Sequence, residues 1–119
     1  MDQRKRVGKI GEDAAATYLR QHGYQILMRN WSTRFGEIDI IAKKSQTLIF
    51  VEVRSTRGIR YGYGFQSIGN RKQQKVRRLA LQYVKRQQFN HLPLRFDVIS
   101  VLINRENKVV KLDHIPNAF

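Results

Sequence analysis

The stretch GEIDIIAKKSQTLIFVEVR, residues 36–54, decides the fold. Two runs rich in β-branched residues, 36–42 and 48–54, flank a polar KKSQ, the pattern of two strands joined by a tight turn. In an antiparallel pair, opposed residues share a face and their numbers sum to a constant. A symmetric turn at Ser45–Gln46 sets that sum at 91. One face is then Ile38, Ile40 and Ala42 against Ile49, Val51 and Val53, wholly apolar. The other is Glu37, Asp39 and Ile41 against Phe50, Glu52 and Arg54. A slip of one residue would turn the apolar set to the wrong side, so the parity is strongly determined.

This register sets Asp39 opposite Glu52. Like charges at that distance destabilise a strand pair and raise each other's pKa unless a cation lies between them. Carboxylate and carbonyl oxygens suit a hard divalent ion, Mg²⁺ or Mn²⁺, with the Val53 carbonyl as a further ligand. Arg54, one step along the same face, is placed to meet a phosphate. The competing reading is a solvated strand face on which Glu37 pairs with Arg54. The apolar opposite face and the elements on either side argue against so peripheral a hairpin.

Working outward, residues 7–21 have helical periodicity. Val7, Ile10, Ala14 and Tyr18 form a stripe widened by Gly8, Gly11, Ala15 and Leu19, with Glu12 at its edge and Asp13 turned to solvent. HisGly at 22–23 ends it. A strand at 24–31 and a polar turn around 32–34 lead into the hairpin. After a glycine-rich loop at 55–69, a helix over 71–87 follows, with Asn70 as candidate N-cap. Its Val76, Leu79, Ala80, Tyr83 and Val84 keep helical spacing. Strands at 95–103 and 108–114, joined by a turn at 104–107, complete the order α-β-β-β-α-β-β.

Composition narrows the function classes. The chain has 119 residues, one domain's worth, and is 41% hydrophobic, enough for a packed core. It has no apolar run long enough to span a bilayer, and MDQRKRVGK has no apolar segment behind its charges, so neither a membrane protein nor a secretory signal is expected. With no cysteine, thiolate catalysis and cysteine-bound zinc are excluded, and a reducing cytoplasm is the expected setting. Lys plus Arg number 23 against 9 Asp plus Glu, a net charge of +14 that calls for a polyanionic partner. No acid lies between Glu52 and Asp97, whereas Arg57, Arg60, Arg71, Lys72, Lys75 and Arg78 do. In the 55–69 loop, Arg57 and Arg60 are followed by Tyr61, Tyr63 and Phe65, a set suited to gripping phosphates and stacking on bases. Lys72 and Gln73 extend the buried stripe of the second helix to its N-terminus, a phosphate seat; the alternative is that Gln73 only caps the helix. Asp97, in an apolar strand, reads as structural and paired with an arginine.

D-x(12)-E-x-R on adjacent strands, preceded by a helix bearing a glutamate, resembles the PD-(D/E)xK nuclease superfamily. Five motifs in order, G-x-x-G-E at 8–12, G-E-I-D-I-I at 36–41, F-V-E-V-R at 50–54, R-K-Q at 71–73 and R-F-D-V at 95–98, resemble the bacterial YraN family, which is similar to archaeal Holliday junction resolvases. The resemblance implies a restriction-endonuclease-like mixed sheet of about five strands flanked by two helices. It implies Asp39 and Glu52 as metal ligands, Glu12 approaching from the first helix, and Gln73 supporting the site. Arg54 stands where the superfamily has a lysine. Arginine cannot act as a general base, though it can stabilise charge on a phosphate.

The expectation is therefore a Mg²⁺- or Mn²⁺-dependent endonuclease acting on DNA, branched or recombination-type DNA included, and dimeric by analogy with the resolvases. The alternative is a non-catalytic nucleic-acid-binding module, for DNA or for RNA and the ribosome, that keeps the nuclease fold. The expected catalytic residues are Glu12, Asp39, Glu52, Arg54 and Gln73, and the metal ligands Asp39, Glu52 and Val53. The expected nucleic-acid contacts are Arg57, Arg60, Tyr61, Arg71, Lys72, Lys75 and Arg78.

Overall fold

The computed structural model describes residues 2–58 and 68–119. Its elements are α1 (Gln3–Gln21), β1 (Gln25–Thr33), β2 (Gly36–Lys44), β3 (Thr47–Arg57), α2 (Asn70–Gln87), β4 (Leu94–Ile103) and β5 (Val109–Ile115). The strands form one mixed sheet in the order β1-β2-β3-β4-β5. Its pairs are antiparallel except β3–β4, which is parallel and bridged by α2, as a parallel pair requires. The order α-β-β-β-α-β-β and the two flanking helices are those expected. No helix among the described residues is long and apolar enough to cross a membrane.

The period of two along the strands divides the core. Ile40, Ala42, Ile49, Val51, Ile99, Val101 and Ile103 pack with α1, through Val7, Ala15, Ala16 and Leu19. Ile41, Leu48, Phe50 and Phe96 pack with α2, through Val76, Leu79, Ala80, Tyr83 and Val84. The α2 stripe matches the sequence pattern residue for residue. Gly11 is the close-approach glycine of α1: a Cβ there would run into Ser55 Oγ and lie 2.9 Å from Ser55 Cβ. Gly8 has nothing within 4 Å of the same position, so its place in the stripe is not a packing requirement.

The helix starts differ from expectation. α1 begins at Gln3, because Asp2 caps it by accepting the Lys5 N–H at 3.0 Å and the intervening residues are good helix formers. α2 is capped by Gly69 in extended conformation, with no side-chain cap bond, and Asn70 is already helical.

Candidate active site

The β2–β3 register is the expected one: five pairs, from Lys44↔Thr47 to Ile40↔Val51, all sum to 91. The ladder ends there, one pair short of Asp39 and Glu52. Asp39 Oδ2 instead accepts the backbone N–H of Val53 at 2.8 Å. On the other side of Asp39, between the Arg29↔Ile40 and Trp31↔Ile38 pairs, Asn30 takes a positive φ of 54°. Regular pairing thus lapses on both sides of Asp39, and strand parity no longer ties Ile38 to Ile40. Ile38 belongs to the α2-side core with Ile41, a correction to the apolar face read from the sequence.

Asp39 lines a cleft of about 680 Å³ with Glu12, Glu37, Val53 and Arg57, roofed by the first turns of α1. Glu52 is buried, 4% exposed, and its Oε2 lies 3.4 Å from Lys72 Nζ of α2. Among the described residues, Glu52 Oε1 is buried without a hydrogen-bond partner. Burial pushes the Asp39 carboxyl up to about 6; the Val53 N–H opposes this, while Glu12 and Glu37 add to it. Burial and then the Asp39 charge push Glu52 up to about 7 against the pull of Lys72 and Arg54. The two acids are electrostatic neighbours, with Glu12 acting on Asp39 from the α1 side and Lys72 acting on both from the α2 side.

The remaining site residues divide. Glu12 lines the cleft, but its Oε1 already accepts from Arg29 Nε at 3.0 Å and Asn30 Nδ2 at 2.9 Å. Arg29 also bonds Asp13 at 2.6 Å, so Asp13 is engaged rather than simply solvated. Arg54 is half-buried on β3, two residues beyond Glu52 and hence on its face. Gln73 Nε2 donates to the Ile68 carbonyl at 2.6 Å, closing the start of α2. Arg57 lines the cleft and donates to the Arg105 carbonyl at 2.7 Å. Arg71, Lys75 and Arg78 are exposed along α2. Arg60 and Tyr61 lie outside the described residues. Sequence reasoning missed Arg29 and Asn30 as the holders of Glu12. It expected Lys72 at a phosphate and did not foresee that its Nζ also lies 3.4 Å from Glu52 Oε2.

The family model for "Uncharacterised protein family UPF0102" matches residues 11–101. The chain belongs to UPF0102. This is the YraN family that the motifs resemble, and the matched span contains Glu12, Asp39, Glu52, Arg54, Lys72 and Gln73. The UPF0102 protein of Pelotomaculum thermopropionicum is 46% identical over 118 residues, covering 99% of this chain and 98% of the relative. That of Persephonella marina is 45% identical over 112 residues, 94% and 91% of the two chains. That of Nocardia farcinica is 41% identical over 113 residues, 95% and 88%. Likeness over nearly whole chains means that these UPF0102 proteins share the helix, hairpin and second helix together, not one motif.

Among the described residues, the other buried acid of this chain serves the fold. Asp97, fully buried, accepts from Arg95 Nε at 2.9 Å, Arg95 Nη2 at 2.7 Å and the Asn117 N–H at 2.9 Å, and lies 2.7 Å from His114 Nε2. Burial pushes its carboxyl up, but the bonds from His114, Arg95 and Asn117 win and hold it below the usual range. Every acceptor direction is occupied, which is the structural role with an arginine partner expected from sequence.

Proposed function

We propose that the chain is a metal-assisted phosphodiester hydrolase acting on nucleic acid, DNA in the first instance. One observation carries the reading. Asp39 and Glu52 are neighbouring carboxylates pushed up by burial, and Glu52 Oε1 is buried with no hydrogen-bond partner among the described residues. Such a pair raises the energy of the fold at neutral pH unless a cation compensates it.

The donor set fits a hard divalent ion of the Mg²⁺ class. Among the described residues no three His, Asp or Glu side chains are grouped to hold a metal. Magnesium sites commonly use one or two carboxylates and complete the shell with water and substrate phosphate. Asp39 and Glu52 would hold the ion. When bound, it would lower the pKa of a coordinated water and polarise the phosphate.

The chain's own residues supply the rest. Lys72 neutralises Glu52 and offers an ammonium group beside the scissile phosphate. The Arg54 guanidinium stabilises negative charge as it develops on the phosphate oxygens. The Val53 N–H fixes the Asp39 carboxylate. Arg29 and Asn30 fix Glu12 at the rim of the cleft, where it orients water. A net charge of +14 with exposed Arg71, Lys75 and Arg78 favours a polyanion over a small substrate. A second reading, a binding module without turnover, is favoured by Arg54 in the lysine position and by the prior engagement of Glu12.

The deciding experiment is cleavage of linear, flapped and four-way-junction DNA with Mg²⁺, Mn²⁺ or EDTA, with Glu52→Gln alongside. Metal-dependent cleavage that Glu52→Gln abolishes while binding survives supports the hydrolase. Binding by the wild-type chain without cleavage of any substrate under any metal selects the module.

A further inference from the structure

The turn between β1 and β2 carries Phe35, 52% exposed. The turn is held firmly. The Phe35 N–H donates to Thr33 Oγ1 at 3.0 Å, and Gly36 has a φ of +144°. That φ disfavours any residue but glycine, and the turn lies close to α2: a Cβ on Gly36 would come within 2.5 Å of Lys75 Cε, the end of a flexible side chain, and 3.3 Å of Leu79 Cδ1. Between turn and helix is a hollow of about 230 Å³ lined by Phe35, Arg71, Gln74, Lys75, Arg78 and Leu79. Its chemistry is an aromatic ring, a buried apolar floor, one amide and three cations. No carboxylate lines it, and among the described residues none of the three cations forms an ion pair. Arg34 adds a fourth positive charge, its guanidinium 4.9 Å from the centre of the Phe35 ring.

We propose that this hollow binds an unpaired nucleotide, its base stacked on Phe35 and its phosphate held by Arg71, Lys75 and Arg78. The requirement that the nucleotide be unpaired follows from the ring. A base within a duplex has both faces stacked on its neighbours, whereas a single-stranded base has a face to offer. Cations alone would bind duplex and single strand alike through phosphate.

The position relative to the carboxylates gives the hollow a purpose. Phe35 is four residues before Asp39, roughly 13 Å at the rise of an extended strand. Arg71 adjoins Lys72, which reaches Glu52. A base seated on Phe35 therefore lies a few nucleotides from a phosphate at the carboxylates. The inference rests on the nucleic-acid part of the function proposed above and adds a substrate class to it: nucleic acid with unpaired bases close to the cut, as at a flap or a single-strand to duplex boundary.

The test is equilibrium binding of the full chain, by fluorescence anisotropy in EDTA so that no cleavage intervenes. Two DNA probes share one duplex; one is blunt, the other carries a short single-stranded extension containing 2-aminopurine. The wild-type chain binds the extended probe more tightly and quenches its 2-aminopurine. Phe35→Leu keeps the apolar bulk of the turn and weakens only the extended probe, by about fivefold or more, the effect of losing one base–aromatic stack. Lys75→Gln weakens both probes and reduces the salt dependence by about one counterion. Equal wild-type affinity for the two probes, or an equal effect of Phe35→Leu on both, overturns the proposal. A wild-type chain that prefers the extended probe but cuts nothing with any metal supports the hollow and overturns the hydrolase. Metal-dependent cleavage with no Phe35 effect does the reverse.

Discussion

Lys72 Nζ stands 3.4 Å from Glu52 Oε2, so α2 brings a lysine to the carboxylates, whereas β3 carries Arg54 two residues beyond Glu52. The two cations are not equivalent. A guanidinium presents a planar fork of donors, whereas a lysine ammonium makes a compact charge against one carboxylate oxygen.

The Lys72 contact has a measurable signature. Lys72 pulls the Glu52 carboxyl down against burial and the Asp39 charge. Lys72→Gln removes that pull, so Glu52 titrates above about 7 in the variant. Lys72→Arg restores the charge and returns the midpoint towards the wild-type value. Carboxyl-carbon NMR of the labelled chain across pH 4 to 9 reads this directly. An unmoved Glu52 midpoint in Lys72→Gln would remove Lys72 from the site.

Stability should fall as pH rises through the same range. The Asp39 carboxyl goes from 3.8 to about 6 and that of Glu52 from 4.5 to about 7, so between those values the folded chain holds protons that the unfolded chain has lost. Both raised groups leave the fold unpenalised below about pH 4, and the penalty is complete above about 7. At about 1.4 kcal/mol per pH unit, this is on the order of a few kcal/mol. Glu52→Gln and Asp39→Asn therefore stabilise the chain at pH 8 in EDTA and leave it nearly unchanged at pH 4. Comparing variant with wild type at each pH cancels Asp97 and Asp13, whose lowered carboxyls work in the opposite sense. Urea unfolding at the two pH values provides the measurement. Equal variant effects at pH 4 and pH 8 would contradict a desolvated pair that Lys72 compensates only in part. Added Mn²⁺ should stabilise wild type at pH 8 more than Glu52→Gln, because binding to the folded site alone raises stability by mass action.

Much of this site was legible because strands and helices have fixed periods. The alternation in 36–42 and 48–54 gave the register, and the spacing of Val76 to Val84 gave the buried face of α2. What escaped was the behaviour at Asp39. Parity arithmetic assumes a continuous ladder, and the ladder stops where a side-chain carboxylate takes the Val53 N–H and Asn30 turns to positive φ. Ile38 then faces α2 instead of α1. The bonds of Arg29 and Asn30 to Glu12 escaped for another reason. They join α1 to β1 across residues far apart in sequence, and no periodicity marks such a pair. Lys72 was assigned to phosphate because its charge and helix position were visible but the reach to Glu52 was not.

The crossing of α1 over β3 offers a test of the packing that positions Glu12. Gly11 is buried, and a methyl group there would run into Ser55. The contact is with the side chain of a strand residue, so either α1 lifts or Ser55 shifts. Gly11→Ala should destabilise the fold by about 1 to 3 kcal/mol, the usual cost of overpacking, despite alanine's better helix propensity. Ser55→Gly in the same chain should recover part of the loss, a coupling that a double-mutant cycle in urea isolates. Additive effects of the two substitutions would place the strain elsewhere.

The Asp97 cluster predicts the opposite behaviour from the Asp39–Glu52 pair. Asp97 and Glu52 are buried and Asp39 is half-buried, but Asp97 is met by Arg95, His114 and the Asn117 N–H, which together tie β4 to β5 and the C-terminal segment. Neutralising Asp39 or Glu52 relieves a penalty; removing Asp97 creates one, since Arg95 and the Asn117 N–H lose their acceptor in a buried setting. Asp97→Ala should therefore destabilise by about 3 to 5 kcal/mol at pH 7, the range for breaking a buried ion pair from one side. The sign with pH also reverses. A lowered carboxyl contributes stability that is present above its unfolded value of 3.8 and lost as pH falls through its folded value, so the wild-type advantage over Asp97→Ala shrinks in acid. Unfolding of the two chains in urea at pH 7 and pH 3 measures both terms. An Asp97→Ala chain as stable as wild type at pH 7 would mean that the cluster is dispensable to the fold and that Asp97 must be considered again as a functional acid.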